Sequence, residues 1–138
     1  MPNYFLAKTD PRVYSIEDFA KEKITTWDGV HNFQAINIIK QWQVGDFVLI
    51  YHSQGESAIV GISKVISNPK ENLKDTRPSW VADLELIKIF EPIQKITLKQ
   101  IKESGLFADF PLIKQPRLST MKCSLEFINW LRTQGLQI

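Results

Sequence analysis

Apolar residues recur along this chain in distinct rhythms, and each rhythm predicts a different element. Phe47-Val48-Leu49-Ile50-Tyr51 is a continuous apolar run bounded by turn residues, and Ala58 to Ile66 is a second. Runs of this length predict strands buried on both faces, with Gln54-Gly55-Glu56 as the hairpin between them. Trp80 to Phe90 carries Val81, Leu84, Leu86, Ile87 and Ile89 in near-alternation, predicting a long strand that stops at Glu91-Pro92. Tyr4 to Lys8 has strand composition and ends at Thr9-Asp10-Pro11, where proline removes a backbone donor.

Helical spacing predicts the intervening elements. Ser15, three residues before Asp18, fits a capping box, and Ile16, Phe19 and Ala20 extend a short helix to about Lys23. Phe33 to Trp42 places Ile36 and Ile39 on one stripe of a helix ending near Val44-Gly45-Asp46. Thr97 and Gln100 form a second capping box, for a helix ending near Ser104-Gly105. Arg117 to Met121 predicts a last short strand, and Ser124 caps a terminal helix bearing Leu125, Ile128 and Leu131.

Two stretches have no period. Thr25 to Asn32, centred on Trp27-Asp28-Gly29, predicts a shaped loop. Ser67 to Ser79, with Asn68-Pro69, Arg77-Pro78 and many charges, predicts an exposed connection. The resulting order, β-α-loop-α-β-β-β-α-β-α, lacks the alternation of a doubly wound sheet. The expected fold is α+β: one domain over residues 1–138, with a small, curved, mostly antiparallel sheet and helices packed around it.

Composition narrows function without naming it. Apolar residues make up 43% and charged residues 23%, close to the soluble globular average. The longest apolar run is far shorter than the ~20 residues of a membrane span, and the Met-Pro-Asn-Tyr start lacks signal-peptide character, so a cytoplasmic protein without a membrane partner is expected. One cysteine, Cys123, and two histidines, His31 and His52, offer no metal-ligand spacing, and neither phosphate-binding glycine motif is present; no metal and no cofactor are expected. A net charge of +2 implies that any nucleic-acid contact is local.

Aromatic and polar residues gather at loops and strand ends: Trp27, Asp28, Asn32, Tyr51, His52, Ser53 and Trp80. Such a set suits an unpaired base, which stacks on an aromatic face while amides, hydroxyls and carboxylates satisfy its edge. Competing readings are an enzyme acting on modified nucleotides or RNA, with His52 or Asp28 moving a proton, and a protein-interaction module without a ligand. A hydrolase lacks support, because Cys123 and the serines have no nucleophile signature.

Several ordered motifs resemble the EVE domain family. Phe5-Leu6-Ala7-Lys8-Thr9-Asp10-Pro11 followed by Val13-Tyr14-Ser15-Ile16 is similar to the opening W-L-x-K-[ST]-E-P-x-x-[YF]-S-[IW]. Trp27 to Ala35 resembles W-[DE]-G-V-R-N-[YF]-Q-A, Val44 to Ser53 resembles V-G-D-x-[VA]-[LF]-[FI]-Y-H-S, and Val60 to Val65 resembles the G-I-A-x-V strand. Trp80 to Leu84 and Arg117-Leu118-Ser119 are similar to W-x-x-V-D-V and R-L-S. Departures from the pattern include Asp10 in the usual glutamate place, His31 where arginine is common, Met121 in place of a frequent glutamine, and the short Ser67 to Ser79 connection.

The resemblance implies a PUA-like curved β-barrel related to the YTH readers of methylated adenine. It implies a non-catalytic, nucleic-acid-binding module for DNA or RNA carrying a modified base, often a 5-substituted cytosine. On this reading the base site comprises Trp27, Asp28, Gly29, Val30, His31, Asn32, Tyr51, His52, Ser53 and Trp80. Lys8, Thr9, Arg117 and Ser119 are expected phosphate or base contacts, and His31 could contribute a charge on protonation.

Overall fold

A computed structural model describes residues 2–138; Met1, in the start read above for a signal peptide, lies outside them. The chain order is β1 (Tyr4–Thr9), α1 (Ile16–Glu22), β2 (Ile24–Trp27), α2 (Phe33–Ile39), β3 (Phe47–His52), β4 (Ala58–Val65) and β5 (Lys70–Glu71). It continues through β6 (Trp80–Ile89), β7 (Ile96–Thr97), α3 (Leu98–Ser104), α4 (Pro111–Lys114), β8 (Thr120–Cys123) and α5 (Leu125–Thr133).

Local chemistry accounts for most of these boundaries. The Ser15 side chain accepts the Asp18 amide while Asp18 accepts the Ser15 amide, and Thr97 and Gln100 repeat the exchange for α3. Gly105 closes α3 in the left-handed conformation, at φ 69°. Helix α2 ends at Ile39, shorter than its apolar stripe predicts, and Trp42 reaches the core from the following turn.

Strand order is β2-β6-β4-β3-β1-β8, with β5 attached to β6 and β7 to β4. Among the described residues only β1 and β3 run parallel, with Lys8 beside Tyr51 and Thr9 beside His52; the other pairings are antiparallel. Register shifts at Ile50/Tyr51 in β3–β4 and at Ile62/Ser63 in β4–β6 mark the irregularities that bend a sheet. Leu6, Val48, Leu49, Ile59, Val65 and Leu84 are fully buried at its centre, with Phe19, Ile39, Phe127 and Leu131 brought in by the helices. Gly61 permits the close approach of α1: a Cβ there would lie 2.8 Å from the Ile16 Cδ1 and 2.9 Å from the Lys88 carbonyl oxygen.

The α+β class and the curved, mostly antiparallel sheet agree with the pattern of apolar positions. The expected barrel does not close: the path ends at β2 on one side and β8 on the other, and these strands are not hydrogen-bonded to each other. Helix α2 packs on both β6 and β8. Other corrections are local. The first three residues of the expected Thr25–Asn32 loop belong to strand β2, which pairs with β6, and residues 28–32 remain irregular. The final strand begins at Thr120, so Arg117-Leu118-Ser119 precedes it as a loop. The Ser67–Ser79 connection contributes β5, pairing Lys70 with Val81 and Glu71 with Trp80, and Ser79 is buried. No helix among the described residues is long and apolar enough to cross a membrane.

Candidate nucleic-acid interface

Beside the open seam, the end strand β2 and the C-terminal end of β1 line a cleft of about 510 Å³. Lys8 and Thr9 of β1, with Asp10, Val13 and Tyr14 after it and Ser119 before β8, form one side. Thr25, Thr26 and Trp27 of β2, followed by Asp28, Gly29 and Val30, form the other. Trp27 is only 7% exposed, so its indole is a fixed wall; it meets Tyr14 edge-on at 6.4 Å between ring centroids and packs on Phe19 at 6.5 Å. Gly29 has φ 76°, a conformation that side chains disfavour, and it turns the chain so that Asp28 is exposed while Val30 is buried.

The cleft's polar groups are held by their neighbours. The Thr9 hydroxyl donates to the Tyr14 carbonyl at 2.7 Å, and the Lys8 backbone amide donates to the Ser119 carbonyl at 2.8 Å. Burial, reinforced by the Glu22 carboxylate that accepts the Tyr14 hydroxyl at 2.5 Å, pushes the phenol pKa up to about 12. The Tyr14 hydroxyl therefore remains a neutral donor at ordinary pH. Asp10 accepts the Arg12 guanidinium and backbone amide, and this pairing holds its carboxyl below the usual range. The rim is thus charged but largely self-compensated.

A second cleft, of about 400 Å³, adjoins the first through Lys8 and Ser119. Tyr51, Ser53 and Arg117 line it, together with Gln54, Ser57 and Pro116. Register explains part of this arrangement, because the parallel β1–β3 pairing sets the Lys8 ammonium over the Tyr51 ring at 5.7 Å. Lys8 also donates to the Pro116 carbonyl at 2.8 Å, and partial burial lowers its pKa.

The expected base site is therefore divided. Trp27, Asp28, Gly29 and Val30 share the first cleft with Lys8, Thr9 and Ser119, whereas Tyr51, Ser53 and Arg117 belong to the second. Four expected residues line neither. His52 is buried, and its Nε2 accepts the Ile16 backbone amide at 3.1 Å at the start of α1; the ring proton is therefore on Nδ1. His31 donates through Nε2 to the Asp75 carboxylate at 2.6 Å, tying the 28–32 loop to the Ser67–Ser79 connection. Asn32 caps α2 by accepting the Ala35 amide at 3.1 Å and lines a smaller hollow together with Arg117. Trp80 lies at the start of β6 under the Lys40 ammonium, 4.8 Å from the ring centroid.

Tyr14, Thr25 and Thr26 line the first cleft without having been singled out as contacts from the sequence. Tyr14 belongs to the opening motif, which gave a signal, but nothing local marks the two threonines before β2 is paired with β6. As for nucleophiles, Cys123 is buried, and burial pushes its thiol well above the ordinary value.

Known proteins bear on this arrangement. Mouse thymocyte nuclear protein 1 is 28% identical over 164 residues, spanning 95% of this chain and 73% of that protein. The structure of a hypothetical protein from Leishmania major superposes with a TM-score of 0.87 at 27% identity, covering 97% of this chain and 95% of that one. The crystal structure of human THYN1 protein in complex with 5-methylcytosine-containing DNA superposes with a TM-score of 0.83, covering 99% of each chain; at 21% identity that likeness establishes the fold. The EVE domain model matches residues 3–134, nearly the whole sequence, and this chain belongs to the EVE domain family.

Proposed function

We propose that this protein binds DNA carrying a modified base, holds that base in the first cleft, and performs no chemistry on it. The observation that carries the reading is the cleft at the open seam. Its volume of about 510 Å³ lies in the range of small-molecule sites, and one flank is the rigid Trp27 indole. The Tyr14 and Thr25 side chains and the Asp28 carboxylate supply polar groups for a base edge, while Val13 and Val30 add apolar surface for an alkyl substituent. The human structure with 5-methylcytosine-containing DNA makes that base the first ligand to test.

Magnitudes limit what such a cleft can discriminate. Burying one methyl-sized group contributes about 0.8 kcal/mol, so methylated over unmethylated cytosine is expected to bind only roughly four-fold more tightly. Stacking on Trp27 contributes more, about 1–3 kcal/mol. Trp27→Ala is therefore expected to weaken a 5-methylcytosine oligonucleotide by that amount, with Trp27→Phe retaining part of the affinity and guarding against a folding defect. Fluorescence anisotropy with methylated and unmethylated DNA, alongside chromatography of the recovered oligonucleotide, tests both halves of the proposal. Equal affinity of the folded Trp27 variants and wild type would remove the base from this cleft; a new product would make the protein an enzyme.

A further inference from the structure

Hydrogen-bond direction gives the first cleft a sign. A hydroxyl has one proton to donate and lone pairs to offer, so the destination of the proton decides which of the two a ligand meets. Thr9 gives its proton to the Tyr14 carbonyl, and Thr26 gives its own to the Asp83 carboxylate at 2.7 Å. The Tyr14 phenol donates to Glu22, the last residue of α1, so the Thr25 hydroxyl beside that phenol can only donate to it. Thr25 opposes the rise in the phenol's pKa, which is the effect of a donor. Four of the five hydroxyl side chains lining the cleft therefore have lone pairs left for an occupant, Ser119 being the fifth, and the Asp28 carboxylate adds more. Lys8, the cation in the lining, already donates to the Pro116 carbonyl.

Glu22 does not line the cleft itself. It is exposed and has no ion pair among the described residues, and its carboxylate is engaged by the Tyr14 hydroxyl.

We propose that Glu22 is a positioning residue for base selection: by holding the Tyr14 proton it keeps the Tyr14 and Thr25 oxygens as acceptors, so that the cleft takes a base with an exocyclic amino group and rejects one with a carbonyl in that place. This role rests on the base-binding reading above. 5-Methylcytosine and thymine separate the two cases, because they share the methyl group and differ in carrying an amino group or a carbonyl oxygen at ring position 4. The amino group donates into the acceptor pair. The carbonyl sets lone pair against lone pair, and a site arranged for one hydrogen-bond partner discriminates far better than a methyl pocket does.

The probes are single-stranded DNA oligonucleotides offering one base, 5-methylcytosine or thymine, between abasic nucleotides, read by fluorescence anisotropy. Wild type is expected to bind the 5-methylcytosine probe roughly ten-fold more tightly than the thymine probe. Tyr14→Phe, which keeps the ring against Trp27 and Phe19, should lose most of that ratio by weakening the 5-methylcytosine probe. Glu22→Gln should lose it in the opposite way, by strengthening the thymine probe, because an amide can donate to the phenol oxygen and release the phenol proton toward a carbonyl. A residue that only braced the fold would lower both affinities together and leave their ratio unchanged. Trp27→Ala should weaken both probes alike, since both pyrimidines stack.

Equal wild-type affinity for the two probes, or a Glu22→Gln variant that keeps the wild-type ratio, would overturn the role of Glu22; a loss of both affinities in Trp27→Ala then leaves the base-binding reading standing without it. No response of either probe to Trp27→Ala in a folded protein would remove the base from the cleft, and the role of Glu22 with it.

Discussion

Trp27-Asp28-Gly29 and Tyr51-His52-Ser53 look alike on paper, each an aromatic residue followed by small or polar ones at a strand end, yet the fold uses them differently. The first closes β2, an end strand whose outer side faces the open seam, so the residues that follow it line a cleft. The second closes β3, which is hydrogen-bonded on both sides, to β1 and to β4. Alternation along β3 then separates neighbours: Tyr51 and Ser53 reach the second cleft, while His52 turns the other way and binds the backbone of α1. Place in the sheet, central or terminal, decides whether a similar set of residues meets a ligand or the protein itself.

Removing the central strand's polar anchor gives the largest expected effect. His52→Ala leaves the Ile16 amide without its acceptor and opens a void, and it should lower folding stability by about 2–4 kcal/mol in urea unfolding. Oligonucleotide affinity of the folded variant should match wild type. Unchanged stability, or lost affinity in a folded protein, would erase the distinction between the two strand ends.

The terminal strand's loop has its own support, reached from 44 residues away. Asp75 also accepts the Arg77 amide; this bond, followed by the His31 contact, holds its carboxyl below the usual range. His31→Ala and Asp75→Ala are each expected to weaken oligonucleotide binding roughly two- to five-fold, and the double variant no more than either alone. His31→Arg should bind as wild type does, because a guanidinium can pair with the same carboxylate. Independent, additive losses would show that the loop holds its shape without this pair.

The smallest effect is a pH dependence of stability. Burial holds the His52 pKa below its ordinary value; the Glu17 and Glu56 carboxylates oppose this, and Lys95 adds to it. The unfolded chain therefore binds this proton more readily than the folded protein does. His52's contribution to stability is present in full above about pH 6.5 and is lost as the pH falls from there through the lowered folded-state value. Urea midpoints should drop more for wild type than for His52→Gln between roughly pH 7.5 and 5.5, since glutamine can accept the Ile16 amide without titrating. Parallel midpoints would show that the ring's protonation is not coupled to folding.

By itself the sequence determined the long strands, the capped helices and the α+β class, because these depend on residues close together in the chain. Ser15 with Asp18, Thr97 with Gln100, and the apolar runs at β3 and β4 all act within a few positions of one another. It also determined the family resemblance, through ordered motifs that include Trp27-Asp28-Gly29. Only the tertiary structure decided the rest. Strands β2, β5 and β7 span just two to four residues and are defined by partners in β6 and β4. The four-residue helix α4 is too short to display a period. The open seam, the division of one expected site into two clefts, and the engagement of His31 by Asp75 and of His52 by Ile16 all depend on contacts between distant segments. Such contacts arise from sheet order and register, which no local pattern of apolar and polar residues encodes.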